Sequence, residues 1–278
     1  MEATGNDLIL VEAQEDKDTN WAEVARAMCA RRWGIGSDGL LVLARGQRAP
    51  RRMRMFNPDG TEDMCGSGLR CVAAYLQRRG LLRPEGGALE TIAGLRRVRP
   101  VEGGLIEAEV GEPGLRPEDL PMQAEGDSTV DWPVEVDGER RVLTGVSMGT
   151  PHAVLLTDQP VSDEVFLRVS PRIEVHPMFP ERTTVTWCCV EGRDLVQARF
   201  WERAVGESLS CGTGACAAVV AARLKGLVGD EVQVHMAGGE AQVRWKGSGS
   251  VLLVGPAREV FEGEWPYRPG GGLGEGGE

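Results

Sequence analysis

The sequence predicts a mixed α/β (α+β) protein of two similar domains, each a curved, mostly antiparallel sheet wrapped around a central helix. Three observations predict it. Cys65-Gly66-Ser67-Gly68-Leu69-Arg70-Cys71 and Cys211-Gly212-Thr213-Gly214-Ala215-Cys216 each open on Cys-Gly-x-Gly and run into an Ala/Val-rich segment, Val72-Ala73-Ala74 in one and Ala217-Ala218-Val219-Val220 in the other. A polar turn before an apolar run also occurs twice, in Gly5-Asn6-Asp7-Leu8-Ile9-Leu10-Val11 and in Gly149-Thr150-Pro151-His152-Ala153-Val154-Leu155. Gly5 and Gly149 lie 144 residues apart and Cys65 and Cys211 lie 146 apart, so two features keep nearly one offset, as a duplicated domain requires.

Along the chain, the run after Gly5 reads as a strand, 21–31 as a helix and 39–44 as a strand. Residues 68–79 then read as a helix and 104–110 as a strand. The second half repeats the mixture: strands at 134–136, 195–201, 231–235 and 251–254, several with period-two alternation, and helices at 162–169 and 214–225. The helices that follow the two Cys-Gly-x-Gly segments are the most apolar, which places them inside their domains. Gly111-Glu112-Pro113-Gly114-Leu115-Arg116-Pro117 punctuates a change of segment and is the boundary candidate. The expected division is 1–112, completed by a strand at 258–266, and 113–257. The Gly-rich 267–278 lacks packing side chains and is expected to be a disordered tail.

Composition bounds the function. With 278 residues, 41% hydrophobic and 5% aromatic, the chain can bury substantial cores built mostly from aliphatic side chains. A net charge of −11 argues against a nucleic-acid or anionic-membrane surface, despite local basic patches such as Arg51-Arg52-Met53-Arg54. A small-molecule partner fits better. The first residues lack a secretory pattern and no run reaches about 18 apolar residues, so a soluble, cytoplasmic protein is expected, with a homodimer left open. Seven cysteines form no zinc-type pattern with His152, His176 and His235, which lie far apart, so no metal is expected.

A cysteine at a helix start sits among unpaired backbone N–H groups, which favour the thiolate and cradle an anion. Two such sites facing one small acidic substrate describe a racemase or epimerase that works without a cofactor. Inverting an α-carbon removes a weakly acidic proton from one face and returns another to the opposite face, and donors aimed at the substrate carboxylate stabilise the carbanion between. Thiol and thiolate suit the two roles because they exchange as the reaction reverses. A lone Cys-Gly-x-Gly is more often a tight turn before a buried cysteine; two copies in register are another matter. Cys29, Cys71, Cys188, Cys189 and Cys216 read as structural.

Five ordered segments carry a resemblance to the diaminopimelate epimerase family: Gly5-Asn6-Asp7, Trp33-Gly34-Ile35-Gly36-Ser37-Asp38-Gly39, the run from Phe56 to Cys71, the run from Arg172 to Thr184, and the run from Trp201 to Ala217. The resemblance implies two similar domains with the active site in the cleft between them. It also implies interconversion of LL- and meso-diaminopimelate without pyridoxal phosphate or metal, on the route to lysine and cell-wall precursors. It makes Cys65 and Cys211 the two bases. Gly66 with Ser67 and Gly212 with Thr213 would offer backbone donors to the reacting carboxylate, and Glu202 would hold the amino group. His152 and Glu202 would set the thiol pKa values, and Asn6, Asn57, Thr150, Thr184 and Arg203 would line the rest of the substrate site.

The chain departs from the family where Asn is usual at Ser67, Thr150 and Thr184, and Gln at Gly39. Thr for Asn trades an amide for a short hydroxyl and a methyl, so reach and polarity both fall. Asn6, Asn57 and Arg203 remain, and a guanidinium fork suits a distal carboxylate. The departures gather on substrate recognition while both Cys segments survive, which leaves a racemase of another amino acid as the alternative. A non-catalytic thiol switch, with Cys65 and Cys211 forming a reversible disulfide, is the reading from a different class.

Overall fold

The computed structural model describes residues 1–13 and 19–266; the predicted tail at 267–278 lies outside them. Each half repeats one order of elements. In the first, Asn6–Glu12 pairs parallel with Gly39–Arg45, which pairs antiparallel with Arg51–Phe56; that strand pairs parallel with Gly87–Thr91, and Gly94–Val101 and Leu105–Gly111 follow antiparallel. In the second, Pro151–Thr157, Thr184–Val190, Leu195–Glu202, Glu231–Met236, Gly239–Arg244 and Val251–Gly255 pair in the same sequence of parallel and antiparallel. The duplication expected from the two offsets is therefore present strand by strand. The last strands of the two halves, Leu105–Gly111 and Val251–Gly255, pair antiparallel, so the halves share one hydrogen-bonded sheet.

Among the described residues four α-helices complete the repeat: α1 (Trp21–Cys29), α2 (Gly66–Arg78), α3 (Asp163–Glu174) and α4 (Gly212–Leu224). Helices α2 and α4 are the central ones. In α4 every residue from Gly212 to Ala222 is buried, and in α2 Gly66 to Ala73 with Leu76. Both lie in one apolar core that draws side chains from the two halves, including Leu41, Leu69, Ile106, Phe200, Val219 and Leu253. Small Ala and Val side chains let the sheet close around α4 on all sides of its first eleven residues, whereas α2 also buries Arg70 and turns Gln77 and Arg78 to the surface. Helices α1 and α3 pack outside, each with its own cluster: Trp21, Val24 and Met28 in one, Phe166, Val169 and Ile173 in the other. None of the described helices is long and apolar enough to cross a membrane.

The helix ends follow local chemistry. Asn20 caps α1 by accepting from the Glu23 N–H at 3.3 Å, and Ser162 caps α3 by accepting from Val165 at 3.3 Å. Helix α3 runs beyond the expected 169 because Ile173 continues the buried stripe of Phe166 and Val169. Pro171 is tolerated there, since the N–H it lacks would serve the carbonyl of Leu167, a residue on the wet side and 52% exposed. Helices α2 and α4 end alike. Gly80 (φ 68) and Gly226 (φ 70) take the left-handed conformation and donate to the carbonyls of Gln77 and Arg223 at 2.9 Å. Leu81 and Leu227 donate to Leu76 and Ala222 at 2.8 and 3.0 Å, completing two matching Schellman caps.

The expected strand at 258–266 is not one. Only Arg258 bridges to Glu2, and residues 259–266 carry no ladder. Gly263 and Pro266 interrupt the segment, and it packs against the first half, with Trp265 against the α1 cluster and Arg79 donating to Glu259 at 3.0 Å.

A Cβ at Gly226 would meet nothing within 4 Å, so its conformation alone is at stake. We expect Gly226→Ala to lower stability by about 1 kcal/mol with activity unchanged, read as the shift in urea midpoint.

Candidate active site

The two Cys-Gly-x-Gly segments meet. Helices α2 and α4 touch start to start: a Cβ at Gly212 would lie 2.9 Å from the Ser67 nitrogen, and one at Gly66 would lie 3.4 Å from the Thr213 nitrogen. At Gly212 this approach leaves no room for a Cβ, and at Gly66 a Cβ would be tight against the Gly212 backbone at 3.3 Å. Two positive helix ends with unpaired N–H groups thus converge on one point, which favours an anion there. A narrow cavity of about 50 Å³ opens at the junction, lined by Cys65, Gly66, Cys211, Gly212 and Thr213 from the helix starts.

Its remaining walls hold Asn6, Asn57, Thr150, Thr184, Glu202 and Arg203, all expected from the sequence. Asn6 is carried by the first strand of the first half and Thr150 by the matching turn of the second. Asn57 follows strand Arg51–Phe56, and Glu202 ends the corresponding strand Leu195–Glu202, with Arg203 in the turn after it. Two expected residues do not line the cavity. The Ser67 side chain is turned away and its Oγ accepts from the Arg70 guanidinium at 3.4 Å. His152 is fully buried, with Nε2 3.1 Å from the Thr150 Oγ1, and so reaches the cavity only through that hydroxyl.

Asp38, Asp63, Met55, Met64 and Val205 also line the cavity and were not expected. Asp38 belongs to a closed cluster: Arg31 donates to both oxygens of Asp7 at 2.9 Å and to Asp38 at 2.6 Å. Burial, then the neighbouring Asp7, pushes Asp38 up to about 6. Asp63 pairs with the Arg203 guanidinium and accepts from Asn57 Nδ2 at 3.2 Å. Met55 accounts for one departure from the family. Its Cε would lie 2.8 Å from a Cβ on Gly39, so the methionine occupies the space that a longer side chain at Gly39 would fill.

The thiols reverse the expectation that the helix starts would lower their pKa. Burial pushes Cys65 up to about 12, outweighing the Gly68 N–H, which donates to its Sγ at 3.2 Å, and the nearby Arg70 charge. Cys211 is also pushed well above its ordinary value: burial is reinforced by the charge of Glu202 and by its hydrogen bond with that carboxylate, against weaker opposing bonds from Thr213 and Gly214. Desolvation raises Glu202 as well. His152 is pushed down to about 3, first by burial and then by the Arg203 charge. Its imidazole is neutral and adds no charge beside the thiols, whereas Glu202 acts on both.

Among the described residues no group of three or more His, Cys, Asp or Glu side chains is arranged to hold a metal ion. The polar groups suit a small zwitterion: helix-start N–H groups and a guanidinium for carboxylates, carboxylates for ammonium groups.

The chain matches known proteins along most of its length. A sequence model described as diaminopimelate epimerase matches residues 1–114 and 144–260. The diaminopimelate epimerase of Moorella thermoacetica is 42% identical over 273 residues, covering 96% of this chain and 98% of that protein. That of Pelotomaculum thermopropionicum is 41% identical over 276 residues, covering 95% and 96%. Among solved structures, a probable proline racemase from Agrobacterium radiobacter K84 superposes with a TM-score of 0.69 at 16% identity, covering 94% of this chain and 92% of that one. A predicted epimerase from Pseudomonas aeruginosa gives 0.64 at 18% identity, covering 92% and 93%. The two structural matches establish the shared fold.

Two predictions follow from the burial of these groups. Gly212→Ala must push the helix starts apart, so we expect at least a tenfold fall in kcat with a lowered melting temperature, on the order of the 1–3 kcal/mol cost of overpacking. Cys65, Cys71, Cys188 and Cys216 each ionise near 12 in the folded chain and Cys211 is raised well above its ordinary value, against about 8.5 when unfolded. Above that unfolded value the unfolded chain holds fewer protons than the folded one, so stability falls as pH rises toward 12. Urea midpoints measured between pH 8 and 10 should decline, and Cys188→Ala should flatten the decline by up to about 1.4 kcal/mol per pH unit.

Proposed function

The chain belongs to the diaminopimelate epimerase family, and we propose that it interconverts LL- and meso-2,6-diaminopimelate by a two-base mechanism with Cys65 and Cys211. The observation that carries this reading is that both cysteines, each at the start of a buried helix, line one cavity at the point where those helices touch. The reacting carboxylate lies against the N–H groups of Gly66 with Ser67 and of Gly212 with Thr213, and Glu202 holds the adjacent ammonium. Negative charge developing on the α-carbon spreads into that carboxylate, where the two helix starts stabilise it.

The thiols are not equivalent. The Cys65 sulfur accepts a hydrogen bond from Gly68, while Cys211 is bonded to the Glu202 carboxylate, a partner that favours the S–H form. Cys65 is therefore the thiol that ionises at the lower pH. Its thiolate removes the α-proton from one face, and Cys211 returns its own proton to the other. In the reverse direction the roles exchange, with the proton balance unchanged. Thr184 accepts from the Arg203 N–H at 3.2 Å, holding the residue whose guanidinium receives the distal carboxylate.

We place the division between the halves at 112–113, just after the strand that joins them. A cytoplasmic homodimer completes the reading. The departures at Gly39, Ser67, Thr150 and Thr184 support one alternative substrate class, another amino acid on the same scaffold.

Exchange of the α-proton of LL- or meso-diaminopimelate with solvent deuterium tests the proposal. We expect the reduced protein to exchange it, and Cys65→Ala and Cys211→Ala each to lose on the order of a thousandfold or more in epimerisation. No exchange by freshly reduced protein, with turnover of a different amino acid in a parallel panel, would move the assignment to that amino acid. Because Cys65 is raised to about 12, kcat/KM should climb with pH between 7 and 9, by up to about tenfold per unit, with no plateau near neutrality.

A further inference from the structure

The cavity contains one charged pair that the two-base chemistry leaves unused. Asp63 sits in a two-residue strand, Glu62–Asp63, just ahead of Cys65, and Arg203 follows Glu202 in the other half of the chain. Their carboxylate and guanidinium meet across the cavity, with 16% and 21% of the side chains exposed. Arg203 and Asn57 both donate to the same oxygen, Oδ2 of Asp63, whereas a carboxylate offers about four acceptor sites. Asp38, the other unexpected acid, is held by Arg31 and by the Asp7 N–H, so it is already committed.

A second observation points to a donor in this space. Asn6 is 7% exposed, lines the same cavity, and its Oδ1 has no hydrogen-bond partner. A buried acceptor left open at a binding cavity calls for an N–H or O–H from a ligand. Thr150 and Thr184 also face the cavity, but their hydroxyls are neutral and are already bonded to His152 and the Arg203 N–H, so neither offers a counter-charge to a substrate ammonium.

We propose that Asp63 determines specificity by receiving the second ammonium group of the substrate, beside the Arg203 guanidinium that receives the second carboxylate. This rests on the diaminopimelate reading above. Substrate and site then match charge for charge. The reacting carboxylate faces the helix starts and its ammonium faces Glu202, while the distal carboxylate faces Arg203 and the distal ammonium faces Asp63. Before substrate arrives, Asp63 and Arg203 neutralise each other, so neither charge is buried unpaired.

The test compares diaminopimelate with 2-aminopimelate, which keeps the distal carboxylate and lacks the distal amino group. Asp63→Asn removes the charge at nearly constant shape, and Asp63→Glu keeps it. We expect Asp63→Asn to lose about tenfold or more in kcat/KM for α-deuterium exchange on diaminopimelate, mostly through KM, and to stay within about twofold on 2-aminopimelate. Asp63→Glu should retain the preference for diaminopimelate. An equal loss on both substrates would show that Asp63 only holds Arg203 in place, and no loss on either would show that it touches no substrate; either result overturns the inference. Wild-type protein exchanging neither substrate would instead overturn the diaminopimelate assignment, and this inference with it. Melting temperatures of both variants identify loss of fold, and if Asp63→Asn does not fold, the same comparison is read from Asp63→Ser.

Discussion

Two helix starts forced into contact govern the rest of the molecule. Bringing α2 and α4 together at Gly66 and Gly212 places like partial charges side by side, an arrangement that is unfavourable until an anion lies between them. The apolar packing of both helices holds them there. An α4 buried along its first eleven residues cannot retreat into solvent, and strands Leu105–Gly111 and Val251–Gly255 hydrogen-bond the two halves together. The energy of the core is thus used to hold a site whose local electrostatics would otherwise relax.

The same depth decides the acid–base chemistry. A helix start lowers a thiol pKa by fractions of a charge, whereas full burial withdraws water from the whole ion, and here burial wins at both cysteines. A thiol that resists ionisation is a strong base once it has ionised, which suits the removal of a weakly acidic α-proton. The asymmetry needed to start the reaction comes from one residue, Glu202, bonded to Cys211.

Much of this was legible in the sequence because duplication repeats its own evidence. The common offset located both Cys segments, the central helices and the first strand of each half. Thr184–Val190 was not identified as a strand, since a run buried on both faces has no alternation to read. Asp63 and Asp38 escaped because an isolated aspartate beside a motif looks like a solvated loop residue; only the pairing of Asp63 with Arg203, 140 residues on, reveals its place. The direction of the thiol shifts was misread because a pattern of residues reports what surrounds a cysteine along the chain and not how much water the fold removes from it.

The contact at the helix starts is reciprocal: Gly66 faces the nitrogen after Gly212, and Gly212 faces the nitrogen after Gly66. Together with the antiparallel pairing of equivalent strands, this is the arrangement of an approximate two-fold axis within a single chain. An axis of that kind, passing through a bound carbon, carries one face of the carbon onto the other. An ancestral pair of identical halves would already have presented the same thiol to both mirror-image faces, and Glu202 bonded to one thiol is the mark of that symmetry having been broken.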